Sequence, residues 1–171
     1  MSLPVLRTSR LELVPGTAAL FRADLENSPG LAGTLGAEIP ADWPPPLMDD
    51  ETLRQFIDLA SDPSGPKIAA FYWVLDEDGR RVLVGNGGFT DEGVGMLALG
   101  YSVLDRYQGR GFATEAVAAL VEFGFRNPAV RVISAYTYPD LAASIRVLEK
   151  NGFERAGPGP EPGTIAFQCR R

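Results

Sequence analysis

A glycine-rich turn between a predicted strand and a predicted helix constrains this chain more than any other feature. Residues 108–113 read Gln-Gly-Arg-Gly-Phe-Ala; they follow an apolar strand predicted over Met96–Val103 and precede a helix predicted to begin near Ala113. Glycine lets the main chain approach a ligand closely, because no Cβ intervenes. The first amides of a helix lack partners and carry a partial positive charge. The turn therefore predicts an anion site that suits a phosphate or pyrophosphate.

The length and composition of the chain indicate its class. We expect 171 residues with 45 % apolar side chains to form one domain, residues 1–171, with a substantial core. No apolar run is long enough to predict a membrane span, and the first ten residues do not resemble a signal peptide. The single cysteine, Cys169, cannot form an internal disulfide and fits a reducing compartment, so we predict a cytoplasmic protein.

Histidine content and net charge exclude several classes of function. The chain has no histidine, which excludes Ser-His-Asp and Cys-His catalytic sites and the usual zinc sites, and we expect no metal. The net charge of −6 argues against nucleic-acid binding, which normally requires a basic face. An acidic surface favours encounter with cationic amines, although it equally serves solubility.

The first half of the chain predicts a strand, two helices and an antiparallel meander. The strand covers Leu11 to Leu13, the first helix covers residues 17–26, and residues 27–46 are predicted as a loop because they are rich in Pro and Gly. An apolar stripe at Leu53, Phe56, Ile57 and Ala60 predicts the second helix, with three acidic residues (49–51) in its first turn. Strands follow over residues 69–75, 82–89 and 96–103, with turns at 76–79 and 91–93.

The second half alternates helix and strand. An apolar stripe from Ala116 to Val121 predicts a helix that ends at Asn127-Pro128, and Val132–Thr137 reads as a strand. Residues 142–151 predict a helix ended by Gly152, and two closing strands are expected from Phe153 onward and over residues 164–169. We therefore predict an α+β fold, a mixed sheet with helices packed on it.

Three interpretations of the glycine-rich turn were weighed on the residues alone. A P-loop needs a lysine after its last glycine, and none follows here. A dinucleotide fingerprint needs a third glycine and opens a βαβ unit, whereas Thr114 stands in its place and three meandering strands precede it. A purely structural turn stays open at this point.

Three segments carry a family resemblance. Residues 100–116 read Gly-Tyr-Ser-Val-Leu-Asp-Arg-Tyr-Gln-Gly-Arg-Gly-Phe-Ala-Thr-Glu-Ala, and residues 143–153 read Ala-Ser-Ile-Arg-Val-Leu-Glu-Lys-Asn-Gly-Phe. The first resembles motif A of the GNAT acyltransferase superfamily, Gln/Arg-x-x-Gly-x-Gly/Ala, and the second resembles its motif B helix. Residues 6–13, Leu-Arg-Thr-Ser-Arg-Leu-Glu-Leu, are similar to the start of the ribosomal-protein N-terminal acetyltransferase-like branch. The resemblance spans nearly the whole chain.

The resemblance implies a fold and a cosubstrate. The fold is a central, mostly antiparallel sheet that splays between two parallel strands, here Met96–Val103 and Val132–Thr137, with helices on both faces. The cosubstrate is acetyl-CoA, with its pantetheine arm along one strand edge and its pyrophosphate on the amides of the turn. Arg110 either adds charge to the phosphates or is a solvated loop residue. The implied cofactor-binding residues are Tyr101, Ser102, Val103, Gln108, Gly109, Arg110, Gly111, Phe112, Ala113, Thr114 and Ser144.

The resemblance also implies the reaction, an acetyl transfer to a primary amine by direct attack in a ternary complex. Ser144 is the candidate acid that protonates the leaving thiolate, with helix capping as its alternative role. Three positions depart from the family pattern: Ala98 replaces a glutamate base, Leu141 an asparagine and Leu148 a tyrosine acid. Candidate bases are Asp91, Glu92, Glu161 or a chain of waters.

The acceptor is the least specified part of this interpretation. The resemblance implies a small-molecule amine or a protein N-terminus, with no nucleic acid and no membrane as partner, and a homodimer is common in the family. Trp43, beside three prolines, and the aromatic residues 71–73 are the substrate-side candidates, with local packing as the alternative. The other function considered is a catalytically weak CoA-binding sensor or interaction module of the same fold.

Overall fold

An eight-stranded sheet forms the centre of the described part of the chain. The computed structural model describes residues 2–62, 64 and 68–171; Met1, Pro63 and residues 65–67 lie outside that description. The strands are β1 (Leu6–Arg7), β2 (Leu11–Pro15), β3 (Ile68–Glu77), β4 (Arg80–Gly93), β5 (Met96–Val103), β6 (Val132–Thr137), β7 (Glu154–Pro158) and β8 (Ile165–Arg170). The helices are α1 (Ala18–Leu25), α2 (Pro29–Leu35), α3 (Asp50–Ser61), α4 (Phe112–Phe125) and α5 (Ala142–Lys150), with a 3₁₀ turn at Asp105–Tyr107.

The sheet is antiparallel except at its centre. Its strand order is β1-β2-β3-β4-β5-β6-β8-β7, and β5 and β6 are the parallel pair. Helix α4 makes the crossover between them, as parallel neighbours require. The predicted α+β class and the antiparallel meander from β3 to β5 are therefore confirmed.

Both faces of the sheet are covered by helices, because side chains alternate along its strands. Phe71 and Trp73 of β3 lie in a core cluster that includes residues of α4 and α5, while Tyr72 and Val74 lie in a second cluster with residues of α1, α2 and α3. We call these the α4 face and the α3 face. The expectation of helices on both faces is confirmed.

Local capping explains where the helices begin. Thr17 accepts a hydrogen bond from the Leu20 amide at the start of α1, and Asp49 accepts one from the Thr52 amide at the start of α3. Helix α4 begins differently, because its N-cap is Gly111 and no side chain caps it. No helix within the described ranges has both the length and the apolar content that a bilayer crossing requires.

The predicted loop over residues 27–46 is wrong in its first part, where helix α2 forms. Ser28 caps the Gly30 amide, Pro29 occupies the first helical position, and Gly36 ends the helix in the left-handed region at φ 57°. Proline is tolerated at that first position because its missing N–H has no helical partner there. The Pro and Gly content that suggested a loop instead marks the two ends of a short helix.

The two predicted hairpin turns are shorter than the sequence indicated. The first turn is reduced to Asp78 and Gly79, which both have positive φ (54° and 77°), as a two-residue hairpin requires. Residues 91–93 continue β4 through a bulge, and the chain reverses at Val94-Gly95 instead. Strand β1 was not predicted, since two residues carry no periodic signal. The remaining predicted elements are confirmed within a few residues of their ends.

Candidate functional site

The parallel strands β5 and β6 separate halfway along their length. They pair from Met96 opposite Val132 to Leu99 opposite Ala135, and no register pair follows among the described residues. Residues 101–103 stay paired to β4 on their other side, opposite residues 85–87. The outer edge of these three residues therefore borders an opening between β5, β6 and α5, which we call the splay.

The glycine-rich turn lies at the end of the splay. Gly109 and Gly111 have φ of 73° and 83°, in the left-handed region that other residues adopt at a cost. Within the described ranges, no acceptor faces the amides of residues 109–114; the first helical bond of α4 runs from the Glu115 amide to the Gly111 carbonyl. The loop thus directs unpaired N–H groups and the positive end of α4 at one point, as an anion site requires.

Gln108 shapes this loop from within the protein. Its side-chain amide donates to the Val103 carbonyl and to the Asp105 carboxylate, at 3.1 Å each. These bonds tie the loop to the last residue of β5 and to the 3₁₀ turn. Binding of a cofactor by the Gln108 side chain stays a prediction, and the role that the structure gives it is to hold the loop.

A second brace on the loop comes from the start of the chain. The Arg10 guanidinium lies 2.8 Å from the Glu115 carboxylate and donates to the Arg110 carbonyl at 2.9 Å. The Arg10 amide and the Thr8 hydroxyl donate to the same carboxylate. Burial raises the pKa of Glu115, but the bonds from Thr8 and Arg10 outweigh it and hold that pKa below its usual value. Sequence reasoning missed Arg10, which is 105 residues from its partner.

Arg110 has a partner of its own. Its guanidinium is 3.0 Å from the carboxylate of Glu77, the last residue of β3, and lies over the Phe112 ring at 4.9 Å from the ring centre. Both side chains of this ion pair are about half exposed. Contact between Arg110 and a phosphate therefore stays a prediction.

Ser144 lies in the first turn of α5, next to Tyr101 of the splay. The residue is half-buried, and its carbonyl accepts a hydrogen bond of 3.4 Å from the Tyr101 hydroxyl. Burial raises the pKa of Tyr101 to about 12. Leu141 is the N-cap of α5, with its side chain 47 % exposed and no side-chain cap. The predicted Ser144 cap is therefore not formed, and its role as an acid stays a prediction.

On the α3 face, a cavity of about 270 Å³ lies against the same stretch of β5. Strand β5 contributes Ala98, Gly100 and Ser102 to it, and β4 contributes Asn86. None of its lining residues is charged. The cavity is lined by Leu47, Met48, Thr52, Phe56, Ala70, Asn86, Gly87, Gly88, Phe89, Thr90, Ala98, Leu99, Gly100, Tyr101 and Ser102.

A carboxylate reaches across β5 beside this cavity. The Tyr136 hydroxyl of β6 donates to the Glu92 carboxylate of β4 at 2.7 Å. Because β5 lies between these strands, and Thr90, Ala98 and Ser134 share one register level, the bond crosses β5 near Ala98. Burial, then the bond to Glu92, raises the pKa of Tyr136. A carboxylate thus stands near Ala98, the position where the family resemblance implies a strand glutamate.

The other candidate bases are placed differently. The Asp91 carboxylate accepts from the Gly93 amide at 2.8 Å and so shapes the bulge at the end of β4. The main chain of Glu161 accepts two bonds from Thr164 in an exposed turn between β7 and β8. The structure therefore distinguishes Glu92 from the other two by its position over β5.

The aromatic candidates for substrate contact belong to the packing of the protein. The Trp43 indole donates to the Asp24 carboxylate at 2.8 Å, and the Tyr72 hydroxyl donates to its other oxygen at 2.9 Å. Phe71 and Trp73 are fully buried on the α4 face. None of these aromatic residues lines the cavity, so local packing is the interpretation that the structure supports.

Comparison with known proteins identifies the family model that this chain matches. The model is described as an acetyltransferase (GNAT) domain, and it matches residues 22–154. The uncharacterized N-acetyltransferase p20 of Bacillus licheniformis is 29 % identical over 114 residues, which are 66 % of this chain and 64 % of p20. The chain thus spans less than two thirds of that relative's length.

Solved structures share the fold. An acetyltransferase from Agrobacterium tumefaciens str. C58 has a TM-score of 0.70 and 24 % identity, covering 100 % of this chain and 96 % of the other. Aminoglycoside acetyltransferase AAC(6′)-Ib, in complex with coenzyme A, has a TM-score of 0.63 and 22 % identity, covering 94 % of this chain and 95 % of the other. A putative ribosomal-protein-serine acetyltransferase from Vibrio cholerae has 0.60 and 22 %, covering 98 % of each chain. The overall fold of this chain is therefore shared with these acetyltransferase structures.

Proposed function

The chain belongs to the GNAT acetyltransferase family, and we propose that it transfers the acetyl group of acetyl-CoA to a primary amine by direct attack in a ternary complex. The observation that carries this proposal is that one segment of β5 serves two sites. Residues 101–103 offer an open main-chain edge in the splay, and residues 98–102 form one wall of the cavity. Two reactants bound there would meet at the same strand.

The residues of the splay fit acetyl-CoA. The outer edge of residues 101–103 pairs with no strand in the described part of the chain and suits the amides of a pantetheine arm, although its Val103 carbonyl already accepts from Gln108. The amides of residues 109–114 suit a pyrophosphate. Acetyl-CoA, when bound, supplies the acetyl group as a reactive thioester. The residues assigned to hold it are those of β5, the glycine-rich loop and the first turn of α5, including Ser144.

Proton removal from the amine is assigned to Glu92. The attacking nitrogen must lose a proton, and a carboxylate is a suitable general base when it is correctly placed. The Glu92 carboxylate lies over β5 near the cavity, held by the Tyr136 hydroxyl. Ser144, on the opposite side of the splay, is assigned to donate a proton to the departing sulfur. Holding both reactants in place is worth about 7–11 kcal/mol of the barrier.

Direct attack needs no enzyme nucleophile, and the cysteine supports that view. Cys169 lies on β8, where its thiol contacts the Asn151 carbonyl at 3.9 Å. Burial raises the pKa of the Cys169 thiol, so the reactive thiolate is disfavoured. An acetyl-cysteine intermediate is therefore not part of the proposal.

Thiol release from acetyl-CoA with a panel of amines tests the function. We expect turnover with at least one amine and intersecting lines in steady-state kinetics. Glu92→Gln should lower kcat/KM by about 10²–10⁴-fold. The matched control is Glu122→Gln, which makes the same change at an exposed carboxylate on α4 and should keep wild-type activity. A ping-pong pattern with a trapped acetyl-enzyme would contradict direct attack.

A CoA-binding module without efficient catalysis is the second candidate. Two neutral side chains favour it: Ala98 at the strand position of the usual base, and Leu141 at the uncapped start of α5. Tight binding of acetyl-CoA by calorimetry, with no thiol release across the amine panel, would favour this candidate. Release of thiol with any physiological amine would exclude it.

A further inference from the structure

We propose that the acceptor carries, next to its reactive amine, an uncharged and largely apolar side group that lies in the α3-face cavity. This inference rests on the proposed acetyl transfer and narrows its substrate class. Amino acid amides and peptide N-termini with neutral side chains belong to this class. Polyamines and aminoglycosides, which are cationic at several positions, do not.

The lining of the cavity has no group that compensates a buried charge. Its apolar side chains include Met48 and Phe56, and its polar side chains, at Thr52, Asn86, Thr90 and Ser102, are all neutral. Asn86 and Ser102 are 7 % and 9 % exposed, so this inner wall is withdrawn from water, while Leu47, Thr90 and Gly100 are exposed and leave the cavity open on one side. A cation moved from water into such a site without a counter-charge is strongly disfavoured, whereas an apolar group gains free energy on burial.

The neutral polar groups define what else the side group can carry. Asn86, Ser102 and Thr90 offer hydroxyl and amide groups that donate and accept hydrogen bonds. A hydroxyl, a thioether or an amide can be satisfied there without transfer of charge. The inferred class therefore includes both apolar and small neutral polar side groups.

The size of the cavity limits how much of the acceptor it holds. About 270 Å³ lies just below the range of roughly 300–1,000 Å³ that is common for drug-sized ligands. A single side group fits this volume, and a whole polycyclic or oligosaccharide amine does not. The cavity thus selects one substituent of the acceptor.

The floor of the cavity includes two facing glycines with opposite constraints. Gly88 pairs with Gly100 across β4 and β5. A Cβ on Gly88 would lie 1.8 Å from the Ala69 carbonyl oxygen, so that glycine is required by packing. A Cβ on Gly100 would meet nothing within 4 Å, and its φ lies outside the left-handed region. Packing and backbone conformation therefore do not require glycine at position 100, and a side chain there would enter the cavity space.

The Glu92 carboxylate beside this arrangement is placed for one amine, whereas the Asp49 carboxylate, next to the lining, already accepts from the Thr52 amide and hydroxyl. The Glu92 carboxylate crosses β5 at the level of Ala98, two residues from Gly100 along the strand. A single ammonium beside the cavity can therefore be paired and deprotonated there. A second ammonium further along the acceptor would enter the neutral lining.

A matched pair of amines tests this inference directly. Norleucinamide and ornithinamide have the same side-chain length and differ by a terminal methyl against a terminal ammonium. We expect norleucinamide to have a kcat/KM at least tenfold higher, although ornithinamide offers two amines. Spermidine and kanamycin should fall at least as low as ornithinamide.

Filling the cavity supplies the second arm. Gly100→Val should lower kcat/KM for norleucinamide at least tenfold and for glycinamide, which has no side group, less than threefold. Calorimetry should show acetyl-CoA affinity within twofold of wild type, which separates cavity filling from misfolding. Gly33→Ala, at an exposed position on α2 where a Cβ meets nothing within 4 Å, is the control and should change neither.

Binding measurements separate this inference from the proposed function. Calorimetry on protein saturated with CoA should give a Kd for norleucinamide at least tenfold lower than the Kd for ornithinamide. This difference is expected whether or not acetyl transfer occurs. Equal or better binding and turnover of ornithinamide, spermidine or kanamycin would overturn the inference and leave acetyl transfer intact. Preference for norleucinamide in binding with no thiol release from any amine would support the cavity assignment and overturn the proposed function.

Discussion

The two faces of the sheet contribute different chemical groups to the site. On the α4 face, the glycine-rich loop and the open edge of β5 present main-chain groups, and the side chains of Gln108 and Arg10 hold the loop from behind. On the α3 face, the cavity is lined by residues of α3, β3, β4, β5 and the segment before α3, with side chains such as Met48, Phe56 and Asn86 over a floor that includes glycines. A main-chain site depends on backbone conformation, whereas a side-chain site depends on which elements meet.

The difference explains how one fold can keep a constant donor and vary its acceptor. The amides of residues 109–114 carry no side-chain information, so the loop depends mainly on glycine at a few positions. The cavity changes with substitutions among its fifteen lining residues. Substitutions on one face at a time should therefore have separable effects on stability and on acetyl-CoA affinity.

Asp24→Ala should damage the α3 face most. The substitution removes the acceptor of the Trp43 indole and of the buried Tyr72 hydroxyl, which are left without partners. Each such group costs about 1–3 kcal/mol, so the free energy of unfolding should fall by about 2–5 kcal/mol in urea titrations. Asp24→Asn keeps one acceptor oxygen, so its free energy of unfolding should fall about half as far as that of Asp24→Ala. Equal stability of all three proteins would show that the bonds contribute nothing.

The same carboxylate gives a pH dependence with a defined sign. Burial, ahead of the opposing bonds from Trp43 and Tyr72, raises the pKa of Asp24 above 3.8. The folded state therefore binds this proton more tightly than the unfolded chain, and its stabilising contribution is complete below about pH 3.8 and lost as pH rises through the folded pKa. Relative to Asp24→Asn, the wild type should gain stability as pH falls through that window.

Gly111→Val should damage the α4 face. Its φ of 83° is unfavourable for any residue with a Cβ, and that atom would lie 3.3 Å from the Arg10 guanidinium. A left-handed conformation costs about 1–2 kcal/mol, so acetyl-CoA affinity should fall about five- to thirtyfold in calorimetry. Gly33→Ala controls for the loss of a glycine. Unchanged affinity in Gly111→Val would place the anion elsewhere.

Arg10→Ala should have a smaller effect on the same face. It removes the ion pair with Glu115 and the bond to the Arg110 carbonyl, but the Arg10 side chain is 40 % exposed. An exposed pair contributes about 0.2–1 kcal/mol, so acetyl-CoA affinity should fall roughly two- to fivefold. Arg10→Lys, which keeps the charge without the two-point contact, should be intermediate. A loss as large as that of Gly111→Val would mean that Arg10 itself binds the ligand.

Glu115→Gln should give the smallest change, in the acid limb of stability. The pKa of Glu115 is lowered in the folded state, so its contribution is present above about pH 4.5 and is lost as pH falls through the folded pKa. The variant should therefore lose less stability than wild type between pH 5 and pH 3 in urea titrations. Glu122→Gln should follow the wild-type curve.

The same contrast sets how much the sequence can predict. The strand Met96–Val103, the turn and α4 are contiguous, so their geometry is encoded by local signals such as Gly111 and the apolar stripe of the helix. The sequence does not predict helix α2, because proline and glycine usually indicate a loop. Here Pro29 begins the helix and Gly36 ends it. The missed helix and the confirmed segment therefore both depend on signals from neighbouring residues in the sequence.

Long-range partners had no signal of this kind. Glu92 was one of three candidate bases, and only the strand order β4-β5-β6 brings its carboxylate to Tyr136 over β5. The Arg10–Glu115 pair and the bonds of Asp24 likewise join residues that are far apart in sequence. Pairing of this type follows from tertiary structure, which a single sequence does not specify by spacing.

The contact between Arg10 and the glycine-rich loop makes ligand capture and docking of the chain's opening segment interdependent. A molecule that prefers the braced loop must strengthen the hold of residues 8–11 on α4, by reciprocity of coupled equilibria. Hydrogen exchange at the Arg10 amide, which donates to Glu115, should accordingly slow when acetyl-CoA is added. A segment that never touches the nucleotide would thereby report its arrival.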